Sequence, residues 1–287
     1  MHAFLESEYA PLPPDKALFH VIPVPYEASV SYGSGTANGP DAILAASFQL
    51  EAFNGRNCPG EAGIFTAPPV DCGGPPESVL ARISSAVSQT ARASKIPVIL
   101  GGEHTVTLGA VQAFIKHSMP FGVVQFDAHA DLRQSYEDSP FSHACVMRRI
   151  CERTIPIFQI GVRALSLPEH ELRKSQHIPF LDARDIAGNS IPDIILPLDF
   201  PELIYISFDI DAFDPSLMPA TGTPEPGGLL WHQALNLIEN ISTGKRIIGF
   251  DVVELAPIPQ LHSCDYTAAR LVYELMGFCL QSPHNCH

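Results

Sequence analysis

Four apolar runs in this chain each end abruptly in acidic or imidazole residues. "PVIL" runs into "GGEHT", "GVVQF" into "DAHAD", "LIYISF" into "DIDAFDP", and "IIGFDVV" into Glu254. No other feature limits the fold so tightly. The runs are short, β-branched or aromatic, and lack polar alternation, which is the pattern of parallel strands covered on both faces. With two further runs, strands are predicted at residues 19–24, 97–100, 122–126, 157–160, 203–208 and 247–253. Helical patterns lie among them. Leu80, Ile83 and Val87 form one stripe within 77–94, and Ala268, Leu271 or Val272, and Leu275 form another within 265–279. Gly39 and Pro40 open a third at "DAILAAS", with proline in the first turn. The alternation predicts a three-layer α/β fold with a mainly parallel central sheet. No repeat, low-complexity tract or linker divides residues 1–287, so a single domain is expected.

In such sheets ligands bind beyond the carboxyl ends of the strands. There the sequence gathers Glu103 and His104, then Asp127, His129 and Asp131, then Asp209, Asp211 and Asp214, then Glu254. Alternate residues of an extended segment point the same way, so Asp127, His129 and Asp131 are expected to converge, with Asp209 and Asp211 close by. The carboxylates of Asp127, Asp131, Asp209 and Asp211 would repel one another unless neutralised. Two divalent ions would do that, with His104 and His129 as neutral nitrogen ligands. Such a donor set suits Mn²⁺, Fe²⁺ or Zn²⁺. Two metals ~3.5–4 Å apart can bridge a water and lower its pKa. A lone strand-end Asp is more often a cap or turn former, and Asp214-Pro215 reads that way. Gly101-Gly102 is not followed by GK[ST], which excludes a phosphate loop. "DIDAFDPSLMPA" lacks the glycine and glutamate of a calcium loop.

Composition narrows the partners. A net charge of −14 argues against nucleic acid and is compatible with a cationic substrate. No apolar run is long enough to span a bilayer, so no membrane partner is expected. "MHAFLESEYAPLPP" has no secretory pattern, and a cytoplasmic location follows as the expectation. The seven cysteines form no CxxC pair and read as reduced, mostly buried thiols. In the final "QSPHNCH", His284, Cys286 and His287 could bind a stray metal, although an ordinary tail is the simpler reading.

Taken in order, "GGEHT", "FDAHADL", "SFDIDAFDP" and "FDVVEL" resemble the ureohydrolases, the family of arginase and agmatinase. "SYGSGTANGPDAILAAS" and "ATGTPEPGG" are similar to that family's N-terminal glycine-rich segment and to the loop after its last metal aspartates. Glu103 departs from the Asp that many members carry. The resemblance implies an arginase-like fold and a hydrolase with two Mn²⁺ per subunit, cleaving a guanidinium group to urea and an amine by attack of a metal-bridging hydroxide. It implies one metal on His104, Asp127, Asp131 and Asp209, and another on Asp127, His129, Asp209 and Asp211, with Asp127 and Asp209 bridging. It further implies that Glu254 binds the guanidinium and that His143, in "FSHACVMRR", protonates the leaving amine. Asp131 would also orient the attacking oxygen, and a homo-oligomer, trimeric or hexameric, is expected.

"LRQSYEDSPFSHA" resembles agmatinases and not arginases. Its Glu137 and Asp138 would suit the amine tail of a small cationic guanidino substrate, Arg133 would not if it pointed inward, and a solvated surface loop is the alternative reading. Agmatine, giving putrescine and urea, is therefore the expected substrate. N1-aminopropylagmatine, giving spermidine, competes closely, ahead of arginine and other guanidino acids. Two readings from other classes are a single-zinc deacetylase, which would not need both His104 and Asp211, and a non-catalytic polyamine-binding relative, which would not need DxHxD at all.

Overall fold

The structure, a computed structural model, describes residues 2–187 and 196–281. His284, Cys286 and His287 lie outside them. The strands are β1 (Phe19–Val24), β2 (Ile64–Thr66), β3 (Ile96–Gly101), β4 (Phe121–Phe126), β5 (Ile157–Ile160), β6 (Phe180–Leu181), β7 (Leu203–Asp209) and β8 (Arg246–Val253). All pair in parallel, in the order β2-β1-β3-β8-β7-β4-β5-β6. The helices are α1 (Gly39–Ser47), α2 (Pro76–Arg92), α3 (Val106–Lys116), α4 (Val146–Cys151), α5 (Leu167–Ser175), α6 (Ala183–Ile186), α7 (Trp231–Ser242) and α8 (His262–Leu280).

The two faces of the sheet feed two cores. Val124, Ile204, Ile206 and Phe250 pack with α1, α7 and α8, while Val123, Tyr205 and Ile248 pack with α2, α3 and α4. Successive strand residues point to opposite faces, so burial on both sides leaves no polar alternation. This is the three-layer α/β arrangement expected from the sequence. All six predicted strands are present. The edge strands β2 and β6 were not predicted, because three and two residues are too short to carry a period. Helices α4 to α7 were not predicted either, and nor was α3. It is buried over most of its length, so it shows no amphipathic stripe.

The four central strands, β3-β8-β7-β4, are the ones whose apolar runs end in polar residues. Phe126 pairs with Phe208, Phe208 with Val252, and Val252 with Leu100. Their carboxyl ends therefore finish level, and the residues just beyond them share one edge. Gly102 is required there by space, since a Cβ at this position would lie 2.0 Å from the Tyr26 carbonyl oxygen. No disulfide forms among the described residues, and no helix among them is long and apolar enough to cross a membrane.

Candidate functional site

Each of the four strand ends places its polar groups differently. His104 follows β3, and its backbone N–H donates to Glu254 Oε1 at 2.7 Å. The Asp127–Asp131 segment follows β4 as a loop, where an extended run was expected. Its shape comes from local hydrogen bonds: the His129 N–H donates to Asp127 Oδ1 at 2.6 Å, and Asp131 takes a left-handed φ of 52°. On the next strand, Asp209 ends β7 and Asp211 sits in a 3₁₀ turn, its N–H bonded to Asp209 Oδ1 at 2.9 Å. Glu254 follows β8 with φ 65°, and its N–H is tied to the Gly102 carbonyl at 2.8 Å. Two non-glycine residues thus hold costly left-handed conformations within one site, as functional sites often do.

These elements form two groups. His104 Nδ1 lies 3.1 Å from Asp127 Oδ2, 3.0 Å from Asp131 Oδ2 and 3.4 Å from Asp209 Oδ2. His129 Nδ1 lies 2.9 Å from Asp211 Oδ2 and 3.6 Å from Asp127 Oδ1. Ligand atoms of His104, Asp127 and Asp209 all fall within 4.8 Å of one another, as do those of Asp127, His129 and Asp211. Asp127 belongs to both groups and Asp209 to the first only.

The wiring behind the groups decides what His104 can bind. Ser207 Oγ donates its single proton to Asp251 Oδ1 at 2.8 Å, so at 2.9 Å it accepts from His104 Nε2. Nδ1 is then the nitrogen left to take either a proton or a metal. It is buried without a hydrogen-bond partner and faces three carboxylates. A cation must sit among them, and a divalent metal with nitrogen and oxygen ligands fits. Asp251 also accepts from Thr107 Oγ1 and Tyr205 OH, each at 2.8 Å. On the other side, Gln125 Nε2 donates to Asp127 Oδ2 at 2.7 Å, and Gln159 Nε2 donates to Gln125 Oε1 at 2.6 Å. Sequence reasoning missed Ser207, Asp251 and this glutamine pair. Their only signal was polarity inside runs that otherwise read as buried strands.

Protonation shows the same need for positive charge. Burial, then the charge of Asp127, pushes Asp131 up to about 7. Asp209 is raised well above its ordinary value by burial and then by Asp211 and Asp127, and Glu254 by burial and then by Glu103. Burial works to lower His104 and His129, but the surrounding carboxylates outweigh it. His104 rises well above the imidazole range and His129 to about 12. Asp127 moves the other way: burial raises it, but His104 and His129 bring it far below the carboxylate range.

A small inner pocket is lined by His104, His129, Asp131, Asp209, Asp211, Glu254 and His143. It shares Ser31, His129, Asp131, His143 and Thr223 with an outer cleft of about 450 Å³. His143 opens a 3₁₀ turn, with Nδ1 3.3 Å from both Ser29 Oγ and Ser142 Oγ. Burial lowers its pKa, with the charge of Glu103 opposing. Ser29 is itself held by Glu103, whose carboxylate accepts from the Ala28 and Ser29 N–H groups, each at 2.6 Å, and from Ser29 Oγ at 2.7 Å. Glu137 and Asp138 are the two central residues of a tight turn closed by Tyr136 and Ser139, with φ of 47° and 62°. Both are exposed, and neither lines the cleft, although neighbouring Tyr136 does.

A family model described as the Arginase family matches residues 17–277. An N(1)-aminopropylagmatine ureohydrolase from Synechocystis is 39% identical over 286 residues, covering 96% of this chain and 93% of its own. An agmatinase from Pyrococcus horikoshii is 34% identical and covers 90% of each chain. The crystal structure of agmatine ureohydrolase of Thermoplasma volcanium superposes with a TM-score of 0.86 at 31% identity, covering 97% of this chain and 94% of that one.

Proposed function

The chain belongs to the arginase family, and on that premise we propose that it hydrolyses N1-aminopropylagmatine to spermidine and urea. Two Mn²⁺ ions are part of the reading, one on His104, Asp127, Asp131 and Asp209 and the other on Asp127, His129, Asp209 and Asp211. Asp127 and Asp209 would bridge them. The observation that carries it is the two-part cavity, an inner pocket holding the candidate ligands and Glu254 that opens into an outer cleft. Agmatine, preferred from the sequence, becomes the second reading. The Synechocystis relative favours the longer substrate and the Pyrococcus horikoshii relative the shorter.

When bound, the metal pair supplies the Lewis acidity that lets water attack near neutral pH. The remaining work belongs to the chain. Glu254 meets the planar guanidinium with two oxygens and holds its carbon toward the metal groups. Asp131 accepts a hydrogen bond from the attacking water and so orients it. His143, with Nδ1 turned to the Ser29 and Ser142 hydroxyls, leaves Nε2 to carry a proton to the departing amine. Its lowered pKa keeps it neutral near pH 7, ready to take that proton up first. Glu137 and Asp138 would meet only a substrate tail that reaches their turn. Cytoplasmic residence and homo-oligomeric assembly, trimeric or hexameric, go with the reading.

The test is urea release by the Mn²⁺-loaded protein, comparing N1-aminopropylagmatine, agmatine and arginine at equal concentration. The expected order is the first ahead of the second, with arginine inert. If agmatine leads, the second reading stands. No urea from any of them, with both metals shown to be bound, would overturn the function.

A further inference from the structure

The outer cleft contains one carboxylate that neither the chemistry above nor the fold's own hydrogen bonds use. Three of its lining residues are acidic: Asp131, Glu169 and Glu225. Asp131 faces His104. Glu169 is buried and occupied, accepting from the Leu132 N–H at 3.0 Å and from Ser166 N–H and Oγ at 2.8 and 2.6 Å. Glu225 is half-buried, and its carboxylate makes no hydrogen bond or ion pair with any described residue.

Glu225 is nevertheless held in place through its backbone. Arg163 donates to the Glu225 carbonyl from Nη2 at 2.8 Å and from Nε at 3.3 Å. The same Nη2 donates to the Asp211 carbonyl at 2.7 Å. One guanidinium therefore ties the Glu225 loop to the loop of a candidate metal ligand. Its Nη1 is also taken up by carbonyls, of Gly161 and Ala212, so Arg163 does not bond the Glu225 carboxylate. The loop is clamped beyond Glu225 as well, where Asp214 Oδ2 accepts the Gly227 and Gly228 N–H groups at 2.8 and 3.1 Å. Before it, the Gly33 N–H reaches the Gly222 carbonyl at 3.2 Å. Prolines flank Glu225 on both sides. The Arg163 guanidinium feels the Glu225 charge but bonds only the carbonyls, so the fixed carboxylate keeps its hydrogen-bonding capacity and loses little freedom on meeting a cation.

Position selects the cation. Glu254 lines the inner pocket only, Glu225 the outer cleft only, and Thr223 both. A guanidino substrate anchored at Glu254 therefore leads its far end toward Glu225. We propose that Glu225 forms a second cation subsite, which takes the terminal ammonium of an aminopropyl arm and so selects the extended substrate over agmatine. The subsite rests on the ureohydrolase reading of the inner pocket. It supplies, from a preorganised loop, the tail recognition expected of Glu137 and Asp138.

Two measurements on the Mn²⁺-loaded full chain test it, each with wild type and Glu225→Gln. The first is the ratio of kcat/KM for N1-aminopropylagmatine to that for agmatine. Glu225→Gln should lower this ratio about fivefold, through KM and not kcat, as loss of one partly exposed charge pair would. The second is calorimetric binding of spermidine and putrescine, which needs no turnover. Wild type should bind the triamine more tightly, and Glu225→Gln should erase the difference. An unchanged kcat/KM ratio in an active enzyme overturns the subsite and leaves the function standing. If wild type releases no urea but still prefers spermidine through Glu225, the function falls and the subsite survives. Equal binding of the two amines by wild type overturns the subsite.

Discussion

At the scale of single residues, the site depends on where charge is left without a partner. Glu254 is buried and pushed upward by burial and by Glu103, so its ionised form needs a cation nearby. Glu254→Gln keeps the shape and the hydrogen bond to the His104 N–H, but loses the charge that a guanidinium would meet. Metal content should stay at two per chain while kcat/KM drops roughly 100-fold, the scale of one charge-assisted pair. Unchanged turnover would move guanidinium binding elsewhere. Asp127 is different, because it belongs to both ligand groups. Asp127→Ala should lose both metals at once, and elemental analysis showing two metals per chain would remove its bridging role.

At the scale of elements, β7 and β8 do more than end in ligands. Each carries a polar residue inside an otherwise apolar run, Ser207 and Asp251, paired across the strands at 2.8 Å. Together they set which nitrogen of His104, just beyond neighbouring β3, faces the ligand group. Removing the hydroxyl with Ser207→Ala leaves Nε2 without its acceptor and frees the ring to turn. Metal affinity at the His104 group should fall about 10–100-fold, the usual effect of losing a ligand's outer hydrogen bond. The fold should persist, because the change is small and central in a well-packed sheet. Competition with a metal-sensitive dye would measure it, and wild-type affinity in the variant would show that Ser207 does not orient His104 for metal binding.

At the scale of the whole molecule, the metals complete a sheet edge that is too acidic without them. In the metal-free protein, Asp131 and Asp209 hold protons that the unfolded chain would release above the ordinary carboxylate range. His104 and His129 likewise hold protons above the ordinary imidazole value. The folded state therefore binds more protons than the unfolded one, and its stability falls as pH rises from the carboxylate range through about 7 and beyond. Among the candidate ligands Asp127 acts in the opposite sense, at strongly acid pH. Metals displace these protons, so the rise in Tm on adding Mn²⁺ should grow across the same interval. Thermal melts with and without Mn²⁺ at stepped pH would check this, and an increment that stayed constant with pH would contradict it.

Chain order alone carries the class of fold and the list of candidate ligands. Short, β-branched apolar runs bounded by turn residues suit strands buried on both faces, and the polar residue that ends each run is a matter of chain order. That is why β3, β4, β7 and β8 could be read, and why His104, Asp127, His129, Asp131, Asp209, Asp211 and Glu254 could be named. Tertiary structure alone decided how those residues meet. The DxHxD segment converges as a loop with Asp131 in a left-handed bend, not as an extended strand, and no local pattern predicts that conformation for an aspartate. Ser207 and Asp251 read as strand letters until β7 and β8 lay beside β3. Glu225 looked like one loop acid among several, and Glu137 and Asp138 looked better placed for a cationic tail. Only the packing shows which carboxylate the fold pins beside the cleft with no hydrogen bond from any described residue, because a partner is a property of space and not of spacing along the chain.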